Sequence, residues 1–224
     1  MRHTEQEMAL IREDVSHMWQ LVISQLDKAR TAFFSNDIAL AREVTTKEKR
    51  VDAYELKIES SCEHYIALFT PVAIDLRLML SLMKICRTLE RIGDFATGIA
   101  RHVIDNDCYS LPSIWYEELR LEAMFTALQQ MLADCYTALE SESSKLAGQI
   151  LQKDKEINEI YQDAPRVLSE LLSEAPQHTY CSLKLLLLIR KLERIGDHCS
   201  NIVEELVFYL DAKVLKHRGS EGLV

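Results

Sequence analysis

A chain of 224 residues, 48% of them hydrophobic, can bury a sizeable core and fits one large or two small domains. Six glycines and four prolines are too few for the many turns of a β protein of this length, so long helices with few connections are favoured. A formal net charge of −9 argues against nonspecific nucleic-acid binding, which relies on a basic surface, and suits divalent cations or a basic protein partner.

The first predicted helix runs from about Glu5 to Phe34, with Leu10, Val15, Met18, Leu21, Val22, Leu26 and Ala29 at near-helical spacing. Ser35-Asn36-Asp37 breaks it and supplies capping side chains for the second helix, about Asp37 to Phe69. Thr70-Pro71 ends that helix, because proline lacks a donor and restricts the residue before it. A third helix spans about Val72 to Ile104. Its stripe Leu78, Leu82, Ile85, Leu89, Ile92, Ala96, Ile99 and Val103 keeps the alternating three- and four-residue spacing of packed antiparallel helices. Asp105–Ser113 reads as an interdomain linker, polar and without periodicity.

The second half retraces this plan. A fourth helix is expected over about Trp115–Glu140, a fifth over Lys145–Leu172 and a sixth over His178–Ala212, with Pro165 a site for a kink in the fifth. The sixth carries the stripe Cys181, Leu185, Leu188, Leu192, Ile195, Cys199, Ile202 and Leu206, each 103 residues after its counterpart in the third helix. Upstream, Leu26, Thr31, Ala32, Ser35, Leu40, Ala41 and Lys47 recur 106 residues later. The fold expected is therefore all-α: six long antiparallel helices in two tandem three-helix bundles related by internal repeat. Residues 1–107 form the first bundle, and 108–224 the second with a short polar tail.

The repeat is sharpest in one phrase, Leu-Glu-Arg-Ile-Gly-Asp, at Leu89–Asp94 and again at Leu192–Asp197. Residues four apart share a helix face, so Glu90/Asp94 and Glu193/Asp197 are carboxylate pairs pointing away from the stripe. Gly93 lies inside the first pair, where glycine costs a helix about 1 kcal/mol, and the second copy repeats it. Something must approach that backbone closely, either another helix or a bound group. One helix earlier, Glu48/Asp52 and Asp154/Asn158 form matching pairs. Adjacent helices would then set up to four oxygen-bearing side chains in each half, a donor set for a hard or borderline cation: Mg, Mn, Fe or Zn. The alternative is ordinary surface pairing, Arg87 with Glu90 and Arg190 with Glu193. His198 replaces Phe95 between the copies and so falls outside the repeated pattern, and Trp19 and Trp115 are read as packing residues.

The six cysteines stand singly, with no Cys-x-x-Cys pair. The opening lacks an apolar leader, and the longest apolar run, Leu185–Ile189, is too short to span a bilayer. The expectation is a soluble, reduced, cytoplasmic protein whose cysteines are mostly small core residues. A glycine-rich phosphate loop, a nucleophile motif and the Glu-x-x-His of di-iron bundles are all missing from the sequence, which speaks against a conventional enzyme.

The doubled phrase resembles the PhoU family, as do Asn201-Ile202-Val203-Glu204, Pro71–Arg77 and the Glu48/Asp52 pair. The resemblance covers roughly Glu5 to Tyr209 and implies the tandem-bundle fold independently of the periodicity. It implies a cytoplasmic, non-catalytic regulator of phosphate homeostasis, often homodimeric. Such a protein represses phosphate uptake and phosphate-starvation signalling through the phosphate ABC transporter, its ATPase included, and a sensor histidine kinase. It also implies metal ions, iron or zinc clusters in some members. By position the ligands would be Glu48, Asp52, Glu90 and Asp94 in the first half, and Asp154, Glu193 and Asp197 in the second, with Asn158 as an uncharged further donor. Two readings of other classes stay open: a metal-dependent, phosphatase-like enzyme using the carboxylates, and a purely structural bundle.

Overall fold

The computed structural model describes residues 2–105, 108 and 111–214. Within them lie seven α-helices: α1 (Arg2–Ser35), α2 (Ile38–Phe69), α3 (Ala73–Asp105), α4 (Ser113–Glu118), α5 (Leu121–Glu140), α6 (Ala147–Glu174) and α7 (Thr179–Asp211). Short 3₁₀ turns, Ser144–Leu146 and Pro176–His178, lead into α6 and α7. Asp37 caps α2 as its residue type suggests, its carboxylate accepting from the Leu40 amide at 2.9 Å. Thr70 closes α2 in the left-handed conformation, with its amide donating to the Ile66 carbonyl, immediately before Pro71. The predicted tail after Lys213 and part of the predicted linker lie outside the described residues.

The expected fourth helix is two helices. Arg120 takes φ +53°, which breaks the chain between α4 and α5. The bend allows Trp115 and Leu119 on one side and Leu121 on the other all to be buried, which a straight helix would not do at these spacings. The linker is also less polar in place than in sequence: Cys108 and Leu111 are both buried. In α1 the core position belongs to Ile11, and Leu10 is exposed. α6 runs unbroken through Pro165, which sits on its exposed side.

α1, α2 and α3 pack as one bundle and α5, α6 and α7 as another. Both predicted stripes, on α3 and on α7, are buried along their whole length. The two bundles share one continuous core, joined where α3 packs against α7 and, more lightly, where α1 meets α5. The indole of Trp19 donates to the Leu132 carbonyl at 3.2 Å across the second of these contacts. Along the first, α3 and α7 run antiparallel. The Ser81 hydroxyl donates to the Glu205 carbonyl (3.1 Å), Lys84 pairs with the Glu205 carboxylate (3.0 Å), and Lys191 donates to the Gly98 carbonyl (3.1 Å). Phe95 and His198, the same position in the two repeats, stack on each other with centroids 5.6 Å apart and planes 27° apart.

The cysteines depart from expectation at one pair. Cys108 and Cys181 are disulfide-bonded, tying the connection between the bundles to the first turn of α7. At a sequence separation of 73 and with no short motif, nothing local in the sequence announces the pairing. The other four, Cys62, Cys86, Cys135 and Cys199, are free and buried. Burial pushes the Cys62 thiol up to about 12, so it behaves as a small apolar residue rather than a nucleophile.

Candidate functional site

The first acidic patch forms where α2 and α3 lie side by side. Glu90 on α3 is half-buried and Asp94, one turn on, is exposed. Burial pushes the Glu90 carboxyl up to about 7, helped by the charge of Asp94, by Glu55, by a hydrogen bond with Asp94, and by Asp52. Glu55 is itself raised, first by burial and then by Glu59, with Arg87 opposing. The carboxylates that face one another are therefore Asp52, Glu55, Glu90 and Asp94. Glu48 is turned elsewhere: Arg101 of α3 holds it through two hydrogen bonds, at 2.9 and 3.2 Å. Arg87 does not pair with Glu90; it reaches across to Glu59 at 2.9 Å.

The second patch lies between α6 and α7. The Asp154 carboxyl is raised by burial first and by the charge of Asp197, with the Ser200 hydroxyl acting in the opposite sense. Glu193 is raised by burial, then by Asp197 and less by Asp154, against the pull of Arg194 and Arg190. Burial also raises Asp197, with Arg194 opposing. One oxygen of Asp154, Oδ1, is buried without a hydrogen-bond partner. The position matching Arg101 in this half is Glu204, and among the described residues no cation pairs with Asp154 as Arg101 pairs with Glu48. Asn158 is half-buried and makes no hydrogen bond among the described residues.

The repeated glycine has a physical reason in both halves. A Cβ on Gly196 would lie 2.9 Å from Asp154 Oδ1 and 3.5 Å from Ile157. A Cβ on Gly93 would lie 3.2 Å from Gln25 Oε1 and 3.5 Å from Val51. In each repeat, then, the missing side chain makes room for a side-chain oxygen from a neighbouring helix. In the second half that oxygen belongs to the acidic patch; in the first it belongs to the Gln25 amide, also buried without an acceptor's partner. His198 takes no part: burial, with Arg194 and Arg91 nearby, brings it down to about 4, so it is a neutral ring at neutral pH.

Sequence reasoning missed Glu55, whose matching position is Tyr161, and Ser200, whose match Thr97 is also a hydroxyl and so was a usable signal. The side chains as they stand offer pairs rather than a closed cage. Among the described residues no group of three or more His, Cys, Asp or Glu side chains converges closely enough to hold a metal ion.

The raised carboxyls give a pH dependence with a definite sign. Below pH 4.5 Glu90 is protonated in both folded and unfolded chains; between there and about 7 the folded chain keeps a proton that the unfolded chain has released. Stability should therefore fall as pH rises through that window. In chelator, Glu90→Gln should flatten this part of the profile and raise the thermal midpoint at pH 7.5 by roughly 2–4 °C, allowing for solvent screening of a half-exposed group. Thermal melts of the two proteins from pH 4 to 8 check this; parallel profiles would refute it.

The family model of the PhoU domain matches twice, over residues 15–103 and 121–206. The chain is 32% identical over 217 residues to the phosphate-specific transport system accessory protein PhoU of Edwardsiella tarda, covering 97% of this chain and 88% of that protein. It is 30% identical over 227 residues to PhoU homolog 1 of Thermotoga maritima, covering 98% and 97%. Among solved structures, PhoU from Pseudomonas aeruginosa superposes with a TM-score of 0.86 at 28% identity, over 93% of this chain and 99% of that one. The phosphate transport system regulatory protein PhoU from Streptococcus pneumoniae gives 0.82, also at 28% identity, over 94% and 98%.

Proposed function

The chain belongs to the PhoU family, and on that premise we propose that it is a regulatory accessory of a phosphate-specific transport system rather than an enzyme. The observation that carries this is the double match: both bundles are PhoU domains, and the relatives named as transport accessory proteins align along nearly the whole chain. It would act from the cytoplasm as a homodimer, holding down phosphate uptake and starvation signalling by contact with the transporter's ATPase and with a sensor histidine kinase. None of the described helices is long and apolar enough to cross a membrane, so such contact would come from protein surfaces.

We propose further that the acidic patches bind metal ions. The donors are hard oxygens, suited to Fe, Zn, Mn or Mg. Carboxyls held above their ordinary range by burial and mutual repulsion gain from a cation that offsets both. In the second patch Asp154, Glu193 and Asp197 would carry the charge, with the Asn158 carbonyl as a neutral donor. In the first, Asp52, Glu90 and Asp94 would do so, with Glu55 alongside; Glu48 would join only on leaving Arg101.

Deleting the gene should raise phosphate uptake or phosphate-starvation gene expression in cells grown at high phosphate. Unchanged output of both would sink the regulatory reading.

A further inference from the structure

α7 carries a second heptad row besides the buried one. Tyr180, Leu183, Leu187, Arg190 and Arg194 step by three and four along one face, the spacing of a helix-packing seam, yet all five are exposed. The three apolar members are 60%, 58% and 59% exposed, unusually bare for large apolar side chains on consecutive turns. Beside the row runs a groove of about 350 Å³, lined by Phe95 of α3 and by Leu187, Arg190, Lys191 and Arg194 of α7.

The charge along this face is one-sided. Arg190 and Arg194 form no ion pair among the described residues, and nor does Arg91, which stands near His198 with Arg194. Glu193 and Asp197 lie close enough for the arginines to influence them, but on the flank of the helix that faces α6. The groove itself has no acidic lining in a protein whose net charge is −9. At the other end, Lys184 sits 5.3 Å over the Tyr180 ring and 4.0 Å from Asp105.

We propose that this face of α7 docks an amphipathic helix of a different protein, one with apolar residues along half of its contact stripe and carboxylates along the other half. The row is about 21 Å long at 1.5 Å per residue, four turns of a partner helix. Apolar anchors would cover Tyr180, Leu183 and Leu187, and carboxylates would meet Arg190, Lys191 and Arg194. A second copy of this chain is a poor occupant. Paired antiparallel about a two-fold axis, the row would set Leu183 against Arg190 and Tyr180 against Arg194, leaving the cations uncompensated. Paired in parallel, it would set arginine against arginine. The proposal rests on the accessory reading only for its biological setting; the surface chemistry stands by itself.

A photo-crosslinking amino acid placed in living cells at Leu183 or at Leu187, with Leu56 on α2 as an equally exposed control, tests it. The expected product is cross-linked at both α7 positions and not at Leu56, and the partner peptide, sequenced by mass spectrometry, comes from a helix of another protein with apolar residues followed by Asp or Glu. Arg190→Glu combined with Arg194→Glu should cut the yield at least tenfold, while Arg190→Lys combined with Arg194→Lys, which keeps the positive charge beside Glu193 and Asp197, should keep it within about twofold. Equal labelling at Leu56, a peptide from this chain itself, a peptide without carboxylates, or a yield indifferent to charge reversal would each overturn the proposal. The phosphate response of the same strains separates the two readings. Normal regulation without the cross-link removes this surface and leaves the accessory role; a cross-link in cells whose phosphate response ignores gene deletion does the opposite.

Discussion

Asp154→Asn should abolish most metal binding at the second patch while leaving the metal-free protein at least as stable as before. The two halves of that expectation have one cause. Asp154 is a buried carboxyl with an unpartnered oxygen, raised by burial and by Asp197, so removing its charge relieves the metal-free fold. The same charge is what a cation would use, and its loss should weaken binding by at least ~100-fold, the upper end of what losing a mere supporting partner of a ligand costs. Glu48→Gln is the matched control in the other half. It removes an exposed ion pair with Arg101, worth about 0.2–1 kcal/mol, and should change metal affinity far less. Titration with Mn or Zn, followed by thermal shift and elemental analysis, separates them. Equal losses for the two variants, or no metal response in the parent protein, would refute the assignment.

In the oxidised protein the disulfide should matter as much to stability as any core residue; in a reducing cytoplasm the same two cysteines would stand as thiols. Closing a loop between residues 73 apart removes much of the freedom of the unfolded chain, roughly 2–4 kcal/mol in typical cases. For a chain of this size that is roughly 5–15 °C in thermal midpoint. Cys108→Ser and reduced parent protein should therefore melt together, well below the oxidised parent. Thiol counting in denaturant should find four reactive groups before reduction and six after. A variant melting within 1 °C of the oxidised parent would show that the bond contributes nothing.

What the sequence made legible was periodic. The α3 and α7 stripes could be read because every third or fourth residue is apolar over eight positions, and all of those positions are buried. The two glycines could be read as close approaches because a helix interior has no other use for them. What the sequence hid was non-local or unmarked. The break at Arg120 needs a left-handed residue, and arginine, unlike glycine, does not advertise one. The fate of Glu48 depends on Arg101, 53 residues away, so the equivalence of Glu48 and Asp154 in the repeat did not survive folding. Glu55 entered the first patch by standing one turn after Asp52, with no echo at Tyr161 to draw attention to it. Cys108 and Cys181 were unreadable as a pair because only the packed bundles bring them together.

The stack of Phe95 on His198 has a consequence for how the halves came to differ. A residue that touches its own counterpart marks the axis of a two-fold arrangement, here closed within one polypeptide. In a dimer of identical chains every substitution appears twice, and a ring at the axis must pack against itself. Covalent joining lifts that constraint: one half can hold phenylalanine and the other a neutral histidine. The same licence extends outward to Arg101 and Glu204, one of which restrains a carboxylate while the other leaves its neighbour unbound. Duplication thus supplied two acidic patches, and fusion left each free to change without its twin: one keeps a carboxylate paired with an arginine, the other keeps one buried and unpartnered.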